Sequence, residues 1–210
     1  MIVYGSSLSP FVRKTLAFAA EKGLTVENKV SRPGQPDPAF LQASPFKKIP
    51  GFQDGDFQIS DSTAIVTYLE AQYPEPNLIP TDPRNRARAV WFEELADTIF
   101  VGAAGKIFFN RIVGPRFMGV DGDEAVALKA EQEEMPPILD YLESIAPSSG
   151  FLLEDRITLA DIAIASPFGN LRHLGFDLSR WPKTKAYTDA ILARPSFATI
   201  LERETAFLGG

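Results

Sequence analysis

Pro74, Pro76, Pro80 and Pro83 split the chain into two stretches whose apolar residues follow different periods. Before them, short β-prone and helix-prone runs alternate. After them, the pattern is helical throughout. A change of period across a proline-dense segment with no periodicity of its own marks two domains and a linker. The expected division is 1–76, a linker at 77–84, and 85–210, which suits a chain of 210 residues.

The first stretch reads as an α/β unit. Ile2-Val3-Tyr4 is a β-prone run ended by Gly5. From Pro10 a helical face of Phe11, Leu16, Phe18, Ala19 and Ala20 runs to Gly23. Thr25 to Val30 predicts a second strand. Pro33, Pro36, Pro38, Pro45 and Pro50 then leave room for only a short helix around Ala39–Ala43. Gly51-Phe52-Gln53 and Phe57-Gln58-Ile59 flank Asp54-Gly55. This is a hairpin signal in which both turn residues are expected at positive φ. Ser60-Asp61-Ser62 opens a helix carrying Ala64, Ile65, Tyr68 and Leu69. The order is β-α-β-α-β-β-α.

In the second stretch the pattern predicts a long helix from Arg84 to about Ile112, stopping before Gly114-Pro115. A second runs from Asp123 to Ile145, kinked or split at Pro136-Pro137. A third starts at Thr158, and shorter ones follow Pro182 and Pro195. Thr158 as N-cap with Asp161 three residues on is a capping box, and Ile157 with Ile162 makes its hydrophobic staple. Ile162-Ala163-Ile164-Ala165 is apolar on every side, so this helix belongs at a core.

Composition removes whole classes of chemistry. With no cysteine, thiolate nucleophiles, CxxC redox pairs and Cys-ligated metal sites are excluded. A single histidine, His173, excludes two-imidazole zinc motifs, and it reads as structural. Neither a GxSxG elbow nor a GxxxxGK[ST] loop occurs. Activation of a nucleophile therefore falls to a hydroxyl, a carboxylate, a backbone dipole or a bound cofactor. Twenty-one Lys and Arg against 27 Asp and Glu give a net charge of −6, which disfavours nucleic acid. Arg84, Arg86 and Arg88 form a local basic cluster, read as a solvated or subunit-contact face. No export signal and no apolar run near the ~18 residues of a spanning helix are seen. The expectation is a cytoplasmic protein with no membrane partner.

Five features together resemble the glutathione transferase superfamily. Tyr4 to Lys14, YGSSLSPFVRK, is similar to the strand-to-helix turn of serine-type, cysteine-free bacterial and plant-like cytosolic members. Lys48-Ile49-Pro50 resembles the segment with a cis-proline. Asp61-Ser62-Thr63-Ala64-Ile65 resembles the motif that opens the third helix, and Ile157 to Asp161 the capping motif of the second domain. Total length and linker position also agree. The resemblance implies a thioredoxin-like N-terminal domain followed by an all-helical domain. It also implies glutathione as co-substrate, no metal, and a homodimer.

For the site, the resemblance implies that Ser9 donates a hydrogen bond to the glutathione thiolate at a helix N-terminus, where free amides and the helix dipole favour an anion. A plain N-cap is the other role open to Ser9, and Tyr4, Ser6 and Ser7 are competing hydroxyls. Asp61 and Ser62 would bind the γ-glutamyl end, Ile49 and Pro50 the cysteinyl backbone, and Lys48 the glycyl carboxylate. The partner substrate would be a small hydrophobic electrophile lying between the domains against Phe11, Phe108 and Arg111. Peroxidase, dehalogenase, ether-cleaving and isomerase reactions stay open, and so does a non-catalytic ligand-binding or interaction module.

Overall fold

The computed structural model describes residues 1–30, 36–148 and 150–209; Pro33 of the proline-rich stretch lies outside them. The chain forms two compact units, Met1–Pro80 with Arg194–Gly210, and Thr81–Ala193.

The first unit is built on a four-stranded sheet of order β2-β1-β3-β4. β1 (Ile2–Tyr4) pairs parallel with β2 (Glu27–Lys29) and antiparallel with β3 (Gly51–Asp54), which pairs antiparallel with β4 (Phe57–Ser60). α1 (Pro10–Glu21) follows β1, α2 (Pro38–Ala43) packs on β3 and β4, and α3 (Ser62–Gln72) packs on α1. Val3, Val12, Phe18, Phe52, Ile65, Val66 and Leu69 are fully buried between sheet and helices. This mixed unit, followed by helices alone, is the thioredoxin-like plus all-helical architecture expected.

The hairpin forms with its turn one residue later than anticipated. Asp54 pairs with Phe57, so Gly55 and Asp56 are the central residues, and only Gly55 takes positive φ (60°). Glycine at the first central position is what a type II′ turn requires.

The last helix, α10 (Pro195–Gly209), belongs to the first unit and not to a domain of residues 85–210. Two ion pairs account for this, the first of them fully buried. Arg13 of α1 holds Glu204 at 2.7 Å, and Glu21 at the end of α1 holds Arg194 at 2.7 Å and the Ser196 hydroxyl. Lys22 also draws the linker onto this unit. Its ammonium pairs with Glu70 at 2.7 Å and donates to the carbonyls of Tyr73 and Pro76, while Glu70 accepts from the amides of Leu78 and Ile79.

In the second unit the first helix is longer than expected. It runs from α4 (Pro83–Glu94) through a π-helical segment Leu95–Phe100, α5 (Val101–Phe108) and a second π-helical segment Phe109–Met118, ending at Gly119 in the left-handed region. Pro115 lies inside the second π-helical segment, a local departure from the α register of the kind helices show at prolines and π-bulges. The next helix behaves likewise. α6 (Glu124–Lys129) passes through the π-helical Ala130–Glu134 into α7 (Met135–Ile145), and Pro136-Pro137 follows directly on the π-helical segment at the start of α7. Among the described residues no helix is long and apolar enough to cross a membrane.

α8 (Leu159–Leu174) is buried from Leu159 to Leu171. Its start carries the expected capping box, extended by tertiary donors. Asp161 Oδ2 accepts from the Thr158 amide (2.9 Å) and hydroxyl (3.0 Å), and Oδ1 accepts from the Leu152 amide (2.8 Å) and the Tyr187 hydroxyl (2.7 Å) of α9 (Pro182–Leu192). Burial pushes the Asp161 carboxyl up against these four donors, and burial beside Asp161 pushes the Tyr187 phenol well up. α9 is capped from a distance by Glu143 of α7, which accepts from the amides of Lys183 and Thr184.

Replacing Asp161 strands buried donors as well as removing a cap. Asp161→Ala is therefore expected to lower the stability of the fold by about 2–4 kcal/mol, against about 1 kcal/mol for Tyr187→Phe. Urea denaturation of both variants checks this. A loss for Asp161→Ala no larger than that of an ordinary N-cap would show that the two distant donors contribute nothing.

Candidate functional site

The register of the sheet aligns three strand ends. Tyr4 pairs with Gly51, and Gly51 pairs with Ser60. Tyr4 ends β1, Gly51 begins β3 and Ser60 ends β4, so the segments just beyond them leave the same edge of the sheet on adjacent strands, about 4.8 Å apart. Those segments are Gly5–Ser9, Lys48–Pro50 and Asp61-Ser62. Sequence reasoning selected all three, and the register is what makes them neighbours.

The first segment is the turn into α1. Asn28 braces it by donating to the carbonyls of Val3 (3.1 Å) and Gly5 (2.9 Å), and the Ser9 amide donates to the Ser6 carbonyl at 3.0 Å. Gly5 has φ 133°, and a Cβ there would lie 2.8 Å from both Ile49 Cβ and Val12 Cγ2. Only glycine lets the turn, the Ile49 segment and α1 approach this closely. Ser9 is half-buried at the N-cap position with Pro10 behind it, yet its side chain makes no capping hydrogen bond. Its hydroxyl stands at a helix N-terminus without satisfying that terminus itself.

The competing hydroxyls are placed differently. Tyr4 is buried and donates to Gln53 Oε1 at 2.7 Å. Burial, with the charges of Asp37 and Glu27, raises its pKa above the ordinary phenol value. Ser6 Oγ accepts from the Leu8 amide at 3.4 Å, and Ser6 and Ser7 line a cavity shared with α10.

In the second segment the Ile49–Pro50 peptide bond is cis, Pro50 is buried and Ile49 is half-exposed. Ser44, fully buried, closes the loop by accepting from the Lys48 amide (2.9 Å) and donating to the Lys48 carbonyl (2.7 Å). The Ile49 amide and carbonyl form no hydrogen bond among the described residues. The Lys48 side chain is exposed and forms no ion pair among them.

The third segment carries backbone strain. Asp61 sits at φ 83°, ψ 126°, a region that side-chain-bearing residues rarely occupy and that costs about 1–3 kcal/mol. Its Oδ1 accepts from the amides of Thr63 (2.9 Å) and Ala64 (3.1 Å), which caps α3. Ser62, buried in the first turn of α3, has a hydroxyl that bonds no described residue.

The residues proposed for the electrophile belong to two different units. Phe11 is half-buried at the second position of α1, in the first unit. Phe108 and Arg111 belong to the second unit, where Phe108 is buried at the end of α5. The Arg111 guanidinium holds Glu124 at 2.7 Å and Glu131 at 2.6 Å, tying the first long helix of that unit to the next. These hydrogen bonds push its pKa above the ordinary arginine value. Asn28, Ser44 and Gly5 escaped sequence reasoning. The partners of Asn28 and Ser44 are backbone groups that no spacing rule connects to them, and Gly5 reads only as a strand end. Among the described residues no three metal-ligating side chains converge.

The profile for Glutathione S-transferase, N-terminal domain, matches residues 3–77, and that for Glutathione S-transferase, C-terminal domain, matches residues 97–195. A glutathione S-transferase of Hyoscyamus muticus is 32% identical over 213 residues, covering 96% of this chain and 98% of its own length. A solved glutathione S-transferase of Methylobacterium radiotolerans, in complex with glutathione sulfonate, aligns at TM-score 0.77 and 27% identity, over 95% of this chain and 93% of that one. One from Rhodospirillum rubrum aligns at TM-score 0.85 over 95% and 90%, and at 24% identity it speaks for the fold alone. The chain belongs to the glutathione S-transferase family.

Asp61 offers a test that separates capping from charge. Asn caps as well as Asp, so Asp61→Asn is expected to leave stability within about 0.5 kcal/mol of the parent. Its affinity for glutathione, measured by calorimetry, is expected to fall about tenfold as a charge-assisted contact is lost. Unchanged affinity would restrict Asp61 to the cap.

Proposed function

We propose that this chain conjugates glutathione to a small hydrophobic electrophile. Glutathione would lie along the sheet edge where the three segments meet. Its γ-glutamyl carboxylate meets the Ser62 amide and hydroxyl at the start of α3, and its ammonium meets Asp61. Its cysteinyl backbone pairs with the unbonded amide and carbonyl of Ile49 beside Pro50, and Lys48 is placed for the glycyl carboxylate. This puts the thiol at the N-terminus of α1.

The observation that carries the proposal is the Ser9 hydroxyl, free of any capping bond at that terminus. There it donates to sulfur while the helix amides supply positive potential, so the thiol loses its proton near neutral pH. The thiolate forms a bond to the electrophilic carbon as the leaving group departs or the π bond opens. Ser9 is a hydrogen-bond donor throughout and is never acylated or alkylated. Tyr4 is the weaker candidate because its hydroxyl is committed to Gln53. Phe11, on the same first turn, supplies an apolar contact for the electrophile. Arg111 reads better as a clamp between helices. The reaction is placed in the cytoplasm, where the glutathione pool is reduced.

A twofold dimer belongs to the same proposal. Phe46 is 86% exposed in the first unit, and in the second an open groove of about 690 Å³ is walled by Trp91, Leu95, Ile99, Ile138 and Tyr141. Self-association would take both apolar surfaces out of water.

Ser9→Ala is expected to lower kcat/KM at least about tenfold with folding intact, because a hydrogen bond to a charged group contributes about 1.5–3 kcal/mol. The ultraviolet absorption of bound glutathione near neutral pH should show the thiolate in the parent and lose it in the variant. Binding without a thiolate band in the parent would favour a ligand carrier. Failure to bind at millimolar glutathione would remove both readings. For the dimer, sedimentation of Phe46→Ser and Trp91→Ala is expected to show monomers where the parent is dimeric. A monomeric parent would end that part of the proposal.

A further inference from the structure

Arg13 and Glu204 are 191 residues apart in sequence and form a bidentate pair, with Nε donating to Oε1 at 3.1 Å and Nη2 to Oε2 at 2.7 Å. The two side chains are 0% and 2% exposed. Arg13 is the fourth residue of α1, and its amide donates to the carbonyl of Ser9 at 2.9 Å, closing the first turn of the helix. The side chain that leaves this turn is therefore gripped by α10.

α10 packs along α1. A cavity of about 210 Å³ beside the turn is lined by Ser6, Ser7 and Leu8 and by Ile200, Glu204 and Phe207 of α10. Beside this cavity the ion pair joins the first turn of α1 to α10 as a rigid strut. A guanidinium fork on a carboxylate resists rotation as well as separation, which a single hydrogen bond would not.

We infer that Glu204 is a positioning residue for the site proposed around Ser9, fixing the first turn of α1 through Arg13 from the far end of the chain. The inference rests on the role given above to Ser9. A hydroxyl and a row of amides stabilise a thiolate only within hydrogen-bond distance, so a loosened first turn weakens ionisation before it weakens binding of the rest of the peptide.

The decisive variant is Arg13→Met/Glu204→Met, which removes the strut without changing net charge and replaces a buried ion pair by apolar side chains, an exchange cores often tolerate. The pH at which bound glutathione ionises is expected to rise by about one unit and kcat to fall about tenfold, with KM for glutathione changed less than about twofold. Arg13→Lys keeps the charge but not the fork and is expected to fall between parent and double variant. Arg194→Met, which loosens α10 at the other end of α1, is expected to leave the ionisation pH at the parent value. A folded double variant with the parent profile overturns the inference, even with glutathione binding intact. A parent that does not bind glutathione overturns this inference together with the proposed function. Should the double variant not fold, amide exchange of the parent decides. Coupling is reciprocal, so glutathione must slow exchange across Ile200–Leu208 as well as in α1. Protection confined to α1 would refute the strut.

Discussion

The candidate site depends on strand register more than on any single side chain. Because Tyr4, Gly51 and Ser60 stand in one row across three strands, the turn, the cis-proline segment and the start of α3 are delivered to one edge. A one-residue slip of β3 would reverse the facing of its side chains and carry Ile49 out of that row. Several devices hold the register. The II′ turn at Gly55-Asp56 locks β3 to β4, Asn28 ties β2 to the carbonyls of Val3 in β1 and Gly5 just beyond it, and Gly5 allows contact with Ile49 that any side chain would block.

The first unit also keeps α10 by ion pairs, of which Arg13–Glu204 is fully out of water. Arg13–Glu204 and Glu21–Arg194 grip it near both ends of α1, and Lys22–Glu70 fastens the linker. Buried pairs of this kind add little net stability compared with apolar residues, but they accept one geometry only. That selectivity matters here because α1 carries Ser9 at its N-terminus. In the second unit Arg111 serves a similar end, holding two glutamates of the next helix. An arginine that reads as a substrate contact by its place near an aromatic cluster is thereby explained by carboxylates 13 and 20 residues further on.

Much of the architecture was legible because its signals are local. Asp61 caps α3 and Thr158 with Asp161 opens α8 as their spacing implies, since a side-chain oxygen reaches the amides two or three residues on with no help from the rest of the fold. Helix ends were less legible. Pro115 did not stop its helix, which passes it in a π-helical register, and π registers leave no residue pattern to read. The N-terminus of α9 shows no side-chain cap of its own. Glu143 provides one from about forty residues upstream, and so no window on the sequence could reveal it.

The sequence by itself determined the order of elements and the segments proposed for the site, since these follow from periodicity, prolines and capping residues within a few positions of one another, whereas the placement of α10 with the first unit came from tertiary contacts. Tertiary structure alone decided which hydroxyl is left available and which charges are taken up. Tyr4 is committed to Gln53 across the sheet, Ser9 is not bound to its own helix, and Arg111 and Arg13 are paired with distant glutamates. Hydrogen bonds and ion pairs act over about 3 Å, and which residues come that close is settled by packing between elements far apart in the chain.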